Sequence, residues 1–185
     1  GKNVYQFEKK ISKLFNKKYG IMTNSGSSAL FLVFKSLNLK KGSEVITPAL
    51  TFGTTVSSIL ENGLVPVFVD VKDQTFCIDE ELIEKKITKK TKALVIVHLA
   101  GMPANMKKII KIAKKNKLKI IEDCSQAHGA KIDNKFVGSF GDISVWSFCN
   151  DKIISTGGEG GMICTNNKRI WKKIWSLKDT GKNYD

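Results

Sequence analysis

Apolar residues along this chain recur in two rhythms, one of three to four residues and one of short continuous runs, and their alternation predicts the architecture. Val4, Phe7, Ile11, Leu14 and Phe15 share one face of an amphipathic helix over residues 4–18, which Gly20 is expected to break. A second helix is expected to start in Asn24-Ser25-Gly26-Ser27-Ser28 and to continue through Phe34, apolar on nearly every side and therefore buried. Beyond it come strands at residues 44–47, 65–69, 93–98, 119–122, 143–148 and 161–165, with helices at 54–62, 80–87 and 104–115. This order predicts an α/β fold with a mostly parallel central sheet flanked by helices. A basic amphipathic helix at 167–177 leads into a polar stretch from Asp179 to Asp185.

Composition narrows the picture. A length of 185 residues with 42% apolar content suffices for one hydrophobic core. A net charge of +14 raises the question of a polyanionic partner. Yet Arg169 is the sole arginine, and the lysines fall at helical surface positions such as Lys107, Lys108, Lys111, Lys114 and Lys115. Base-edge recognition leans on arginine, so solvated helix faces are the expectation and a nucleic-acid partner is not. Cys77, Cys124, Cys149 and Cys164 form no Cys-x-x-Cys pair and no histidine cluster accompanies them, so no metal is expected. No apolar run approaches the roughly 18 residues of a bilayer span, and Gly1-Lys2-Asn3-Val4 lacks a signal-peptide pattern. The expectation is a cytoplasmic protein with reduced thiols and no membrane partner.

In parallel α/β sheets ligands bind at the carboxyl ends of the strands, and four such segments carry polar chemistry. Asn24-Ser25-Gly26-Ser27-Ser28 combines hydroxyls with a helix N-terminus, which suits a phosphate, although a plain helix cap reads the same way. In Glu122-Asp123-Cys124-Ser125-Gln126, Asp123 can pair with a protonated ring nitrogen and Gln126 can reach a neighbouring ring substituent; a carboxylate capping a turn is the bland alternative. Phe52, in Thr51-Phe52-Gly53-Thr54-Thr55, is either a stacking platform or core. Ser147 can reach a phosphate, and Lys152, five residues on and before the glycine-rich run Gly157 to Gly161, is either a surface lysine beside Asp151 or an amine nucleophile. Taken together the four segments ask for one ligand with a phosphate, a flat ring, a protonated ring nitrogen and an aldehyde. That ligand is pyridoxal 5'-phosphate.

The same residues carry a resemblance. Asn24 to Leu30, Gly42 to Pro48 with Thr51-Phe52, Val69-Asp70-Val71, Ile121 to Gly129, Gly141-Asp142 and Ser147 to Gly161 are similar, in order, to the DegT/DnrJ/EryC1/StrS family of pyridoxal-phosphate-dependent nucleotide-sugar aminotransferases, of fold type I. The resemblance implies that Lys152 is the Schiff-base lysine and proton carrier, Asp123 the partner of the ring nitrogen, and Gln126 the group near the ring hydroxyl. Ser27, Ser28 and Ser147 match phosphate contacts, Gly26 the close turn, and Phe52 the stacking aromatic.

The implied reaction moves an amino group from glutamate to a keto group of a nucleotide-linked sugar, in a homodimer, for surface polysaccharide or amino-sugar synthesis. Dehydratases on the same scaffold are the neighbouring alternative, and those carry His where Lys152 stands; a cofactor-binding relative without turnover is another. Family members have roughly twice this length, so residues 1–185 are expected to be the cofactor-binding large domain without the C-terminal small domain. The family often has His-Gly where this chain reads Thr180-Gly181. His98 is expected to be structural, and His128, close in sequence to Asp123, could tune that carboxylate through a hydrogen bond.

Overall fold

The computed structural model describes residues 1–184. Its centre is a seven-stranded sheet in the order β1-β9-β8-β5-β4-β2-β3, formed by β1 (Tyr19–Thr23), β2 (Glu44–Pro48), β3 (Val65–Val69), β4 (Thr91–Val97), β5 (Lys119–Asp123), β8 (Ile143–Ser147) and β9 (Gly161–Thr165). A separate two-stranded hairpin pairs β6 (Lys131–Ile132) with β7 (Lys135–Phe136). Strands β8, β5, β4, β2 and β3 pair in parallel, while β9 runs antiparallel to both β8 and β1. The expected mostly parallel sheet is therefore present, with one strand of opposite direction, β9, inserted between β8 and the edge strand β1.

Helices cover both faces because alternate strand residues are apolar on both. One face packs Val45, Val95, Ile121 and Val145 against α2 (Gly26–Leu37), α3 (Gly53–Glu61) and α6 (Lys168–Lys178). The other packs Ile46, Leu94 and Ile120 against α4 (Glu80–Lys86) and α5 (Met106–Lys115), and Trp146, Met162 and Cys164 against α1 (Lys2–Leu14). In α5 the buried residues are Met106, Ile109 and Ala113, at helical spacing, while Lys107, Lys108, Lys111, Lys114 and Lys115 stay exposed. Burying each larger side chain of such a stripe contributes about 1.5–3 kcal/mol, so the apolar stripe, not the lysines, fixes this helix. Phe15 stacks on Trp146 with ring centroids 3.6 Å apart, which seats α1.

The N-terminal region departs from expectation. The first helix stops at Leu14 instead of reaching Lys18, and Gly20 is no helix breaker but a strand residue paired with Cys164. Tertiary contacts override the helical periodicity here. Asn16 turns into the left-handed region at φ 53°, and Lys17 buries its side chain so that Nζ donates to the Gly141 carbonyl at 2.6 Å. The other expected elements lie within two residues of their expected ends, except that α2 runs three residues past Phe34 to Leu37, and the β6–β7 hairpin was not expected from the sequence. Thr180, also left-handed at φ 58°, follows α6.

Candidate active site

Side chains along a strand alternate between faces, so Asp123 and Ser147 share the side of Ile121 and Val145 and meet the N-terminus of α2. They line a cavity of about 250 Å³ at the carboxyl ends of the parallel strands. Asp123 is buried at one wall. Its Oδ2 accepts a hydrogen bond from Thr55 Oγ1 at 3.2 Å, its Oδ1 accepts one from the Ser125 N–H at 3.1 Å, and Thr51 Oγ1 braces Thr55 at 3.0 Å. The carboxylate is thereby fixed in orientation.

The first turn of α2 forms the opposite wall. Ser25 caps it, its Oγ accepting the Ser28 N–H at 3.1 Å, and the Ala29 N–H bonds the Ser25 carbonyl. By helix geometry the N–H groups of Gly26 and Ser27 have no intrahelical acceptor, and the helix dipole adds partial positive charge. Two glycines permit this approach. A Cβ at Gly26 would lie 3.0 Å from Ser147 Cβ, and one at Gly161 only 2.2 Å from the Ser25 carbonyl oxygen, so a side chain at either position would push the helix start off the strand ends.

Gly26, Ser27, Phe52, Asp123, Gln126, Ser147 and Lys152 all line this one cavity. Ser28 does not: its hydroxyl pairs with Ser25 Oγ at 3.1 Å, and the residue borders a neighbouring groove between α2 and α3. Phe52 is 67% exposed at the rim, so it is not core. The Gln126 side-chain oxygen accepts the Ala100 N–H at 2.8 Å, which leaves its amide hydrogens as donors. Lys152 Nζ lies 3.1 Å from Asp151 Oδ2.

Both histidines face the other side of the sheet. His98 is fully buried, its Nδ1 accepting the Ala104 N–H at 3.1 Å, so the ring proton sits on Nε2 and points to Glu122 Oε2 at 3.1 Å. Glu122 further accepts the N–H groups of Gly138, Phe140 and Gly141. Burial opposes its charge, but the His98 bond and these N–H groups outweigh burial and hold its carboxyl below the ordinary value. The expected structural role of His98 is what the geometry gives. Glu122, His98 and Cys124 are close enough to hold a metal ion, yet the His98 nitrogens and the Glu122 oxygens are already engaged in these bonds.

The hydrogen bond that His128 could have made to Asp123 is absent, because His128 turns away into an aromatic box between Trp146 and Phe148, 5.3 Å from each ring. Neither ring nitrogen has a hydrogen-bond partner among the described residues. Burial lowers its pKa from 6.5 to about 4; the Ser147 carbonyl, near but outside hydrogen-bond geometry, favours the charged form, and the Lys152 charge disfavours it. Between those values the unfolded chain binds a proton that folded His128 refuses, so stability is full above pH 6.5 and falls as the pH drops towards 4. The expected loss is about 3 kcal/mol. His128→Phe, which keeps the ring packing, should flatten that part of the profile in urea titrations at pH 7 and pH 4; an equal acid loss in the variant would sink the assignment.

The cavity also contains groups that the linear pattern did not single out. Ser125, Thr54, Cys149, Asp151 and Glu159 line it, and Thr55 supports Asp123 from behind. Thr51 stands just before the cap of α3 and Thr55 in its first turn; this four-residue spacing across a helix start is the one local signal that could have marked the hydroxyl pair.

The sequence model of the DegT/DnrJ/EryC1/StrS aminotransferase family matches residues 1–185. GDP-perosamine synthase of Escherichia coli O157:H7 is 41% identical over 181 residues, 98% of this chain and 50% of that protein. An aminotransferase structure from Psychrobacter cryohalolentis superposes with a TM-score of 0.96 at 45% identity, over 100% of this chain and 47% of that one. The E coli GDP-4-keto-6-deoxy-D-mannose-3-dehydratase with bound hydrated PLP superposes with a TM-score of 0.91 at 35% identity, over 96% of this chain and 47% of that one. The chain spans about half the length of the curated relatives it matches.

Proposed function

Because the chain belongs to the DegT/DnrJ/EryC1/StrS aminotransferase family, we propose that it is part of a pyridoxal 5'-phosphate-dependent enzyme that transfers the amino group of glutamate to a keto group of a nucleotide-linked sugar. Its fold is the fold type I arrangement of solved aminotransferases. Residues 1–185 would be the cofactor-binding large domain, and the amino sugar produced would serve a surface polysaccharide. One observation carries the reading: a lysine amine, a buried carboxylate and a hydroxyl-rich helix N-terminus line a single cavity.

The donor set fits the cofactor. The N–H groups of Gly26 and Ser27 with the hydroxyls of Ser27 and Ser147 would hold the phosphate, in a cradle that a Cβ at residue 26 would fill. Asp123 would pair with a protonated ring nitrogen, Gln126 would donate to the ring hydroxyl, and Phe52 would lie against the ring. When bound, the cofactor supplies an aldehyde for an amine and an electron-withdrawing ring that stabilises charge on the neighbouring carbon. Lys152 Nζ would tether it and, once released, would carry the proton from the substrate carbon.

The proposed homodimer is supported by apolar side chains on the loops that follow strand ends at this edge. Leu50, Phe52, Phe76, Met102 and Ile153 are all exposed there, a collar that a second copy would cover. Sedimentation of the full chain as a monomer would overturn the dimer. The proposed compartment is the cytoplasm, in keeping with four free thiols and with no helix among the described residues being long and apolar enough to cross a membrane.

The activity is tested by supplying the full chain with pyridoxal 5'-phosphate, glutamate and a nucleotide-linked keto sugar. A product that gains nitrogen supports the proposal. A product that loses a hydroxyl oxygen without gaining nitrogen moves the chain to dehydratase chemistry, and no product with any keto sugar tried overturns the activity.

A further inference from the structure

We infer that Asp151 is a positioning residue that acts as the counter-ion of Lys152: it restrains the lysine before the cofactor is attached and supports the same lysine when it carries a proton. The inference rests on the role proposed for Lys152 above.

The geometry singles out Asp151 among the carboxylates of the cavity. Asp123 spends one oxygen on Thr55 and the other on the Ser125 N–H. Glu159 accepts the Cys149 thiol at 2.9 Å. Asp151 is the carboxylate that reaches Lys152, with Oδ2 3.1 Å from Nζ. Adjacent residues in an extended strand point to opposite sides, but here the Lys152 N–H bonds the Cys149 carbonyl at 3.0 Å, and the resulting turn lets the two neighbouring side chains converge. The Lys152 side chain is 22% exposed and that of Asp151 is 71% exposed, so the ammonium sits inside the rim and its counter-ion at the mouth. The bond to Lys152 holds the Asp151 carboxyl below its ordinary range. The Lys152 charge also disfavours a charge on His128, behind the sheet.

Two chemical consequences have opposite signs. Attachment needs the neutral amine: the Nζ lone pair forms a C=N bond to the aldehyde carbon, and the carbonyl oxygen leaves as water with the two amine hydrogens. A carboxylate that holds the ammonium slows this step. During amino transfer the released amine takes a proton from the substrate carbon and becomes an ammonium, and the same carboxylate stabilises that state. Solvent exposure of Asp151 keeps each effect modest, about two- to five-fold, and makes it weaken with salt.

The test compares the full chain with Asp151→Asn and Asp151→Glu. Attachment of pyridoxal 5'-phosphate is timed by borohydride reduction and mass spectrometry of the peptide containing residue 152, and amino transfer is timed as a single turnover with glutamate. Asp151→Asn should attach about two- to five-fold faster, transfer slower by a similar factor, and lose the salt dependence of attachment; Asp151→Glu should stay near the unaltered protein. General structural damage would slow both steps, and that result, or no change in either, overturns the inference. Failure of the unaltered protein to attach the cofactor at Lys152 instead removes the assignment of Lys152, and the counter-ion role with it.

Discussion

Lys152→Ala in the full chain is expected to lower amino transfer by at least about 10³-fold and to abolish reducible attachment of pyridoxal 5'-phosphate. The size follows from two tasks falling on one atom. Nζ is the amine available to the aldehyde, and it is also the group placed to move the proton; alanine removes both. Among the described residues Lys152 is the one lysine that lines the cavity, so none of the other lysines can substitute from its own position. The fold should be unaffected, since the side chain is partly exposed and, among the described residues, it bonds the exposed Asp151. Initial rates, mass spectrometry after borohydride and a thermal melt give the three readings. Added ethylamine should restore a small part of the proton transfer without restoring attachment. A variant that keeps more than a tenth of the activity, or that carries the phosphopyridoxyl group on another lysine, would remove Lys152 from the mechanism.

Asp123→Asn is expected to cost about 10²–10³-fold in the glutamate half-reaction while leaving stability within about 1 kcal/mol. Asparagine has nearly the same shape, and it can still accept from the Ser125 N–H, while the Thr55 hydroxyl can rotate to accept from the amide. What it lacks is negative charge. In a buried site of low effective dielectric, a carboxylate beside a ring nitrogen strongly favours the protonated ring, and a neutral amide does not. Activity and melting temperature measured side by side separate the two effects. A loss below ten-fold would mean that Asp123 is a structural cap, and a matching collapse of stability would mean that its bonds to Thr55 and Ser125 are its main work.

Much of the fold was legible in the sequence because burial imposes periodicity locally. The apolar strands β2, β4, β5, β8 and β9 and the helices α2, α3 and α5 follow from residues within each segment. Strand β1 was not legible: it lies at the sheet edge, its glycine reads as a breaker, and its pairing of Tyr19 with Thr165 spans nearly the whole chain. Lys17 looked like one more surface lysine, whereas its burial against the carbonyls of Ser139 and Gly141 depends on residues far along the sequence.

The candidate site divides along the same line. Sequence alone determined which residue types were available and in what order: Gly26 and Ser27 at a helix start, Phe52 after a strand, Asp123 and Gln126 three residues apart, Ser147 and Lys152 five apart. Those spacings suffice because strand ends and helix starts in a parallel sheet collect on one edge whatever the details of packing. Tertiary structure decided the directions of side chains, which depend on contacts between distant segments. It turned Ser28 towards Ser25 and away from the cavity, sent His128 into a box of Trp146 and Phe148 behind the sheet, bound Thr55 to Asp123, and brought Asp151 round a turn onto Lys152. A sequence fixes what a segment can donate or accept; only the folded chain fixes what stands within 3 Å of it, because that distance is set by the packing of every layer at once.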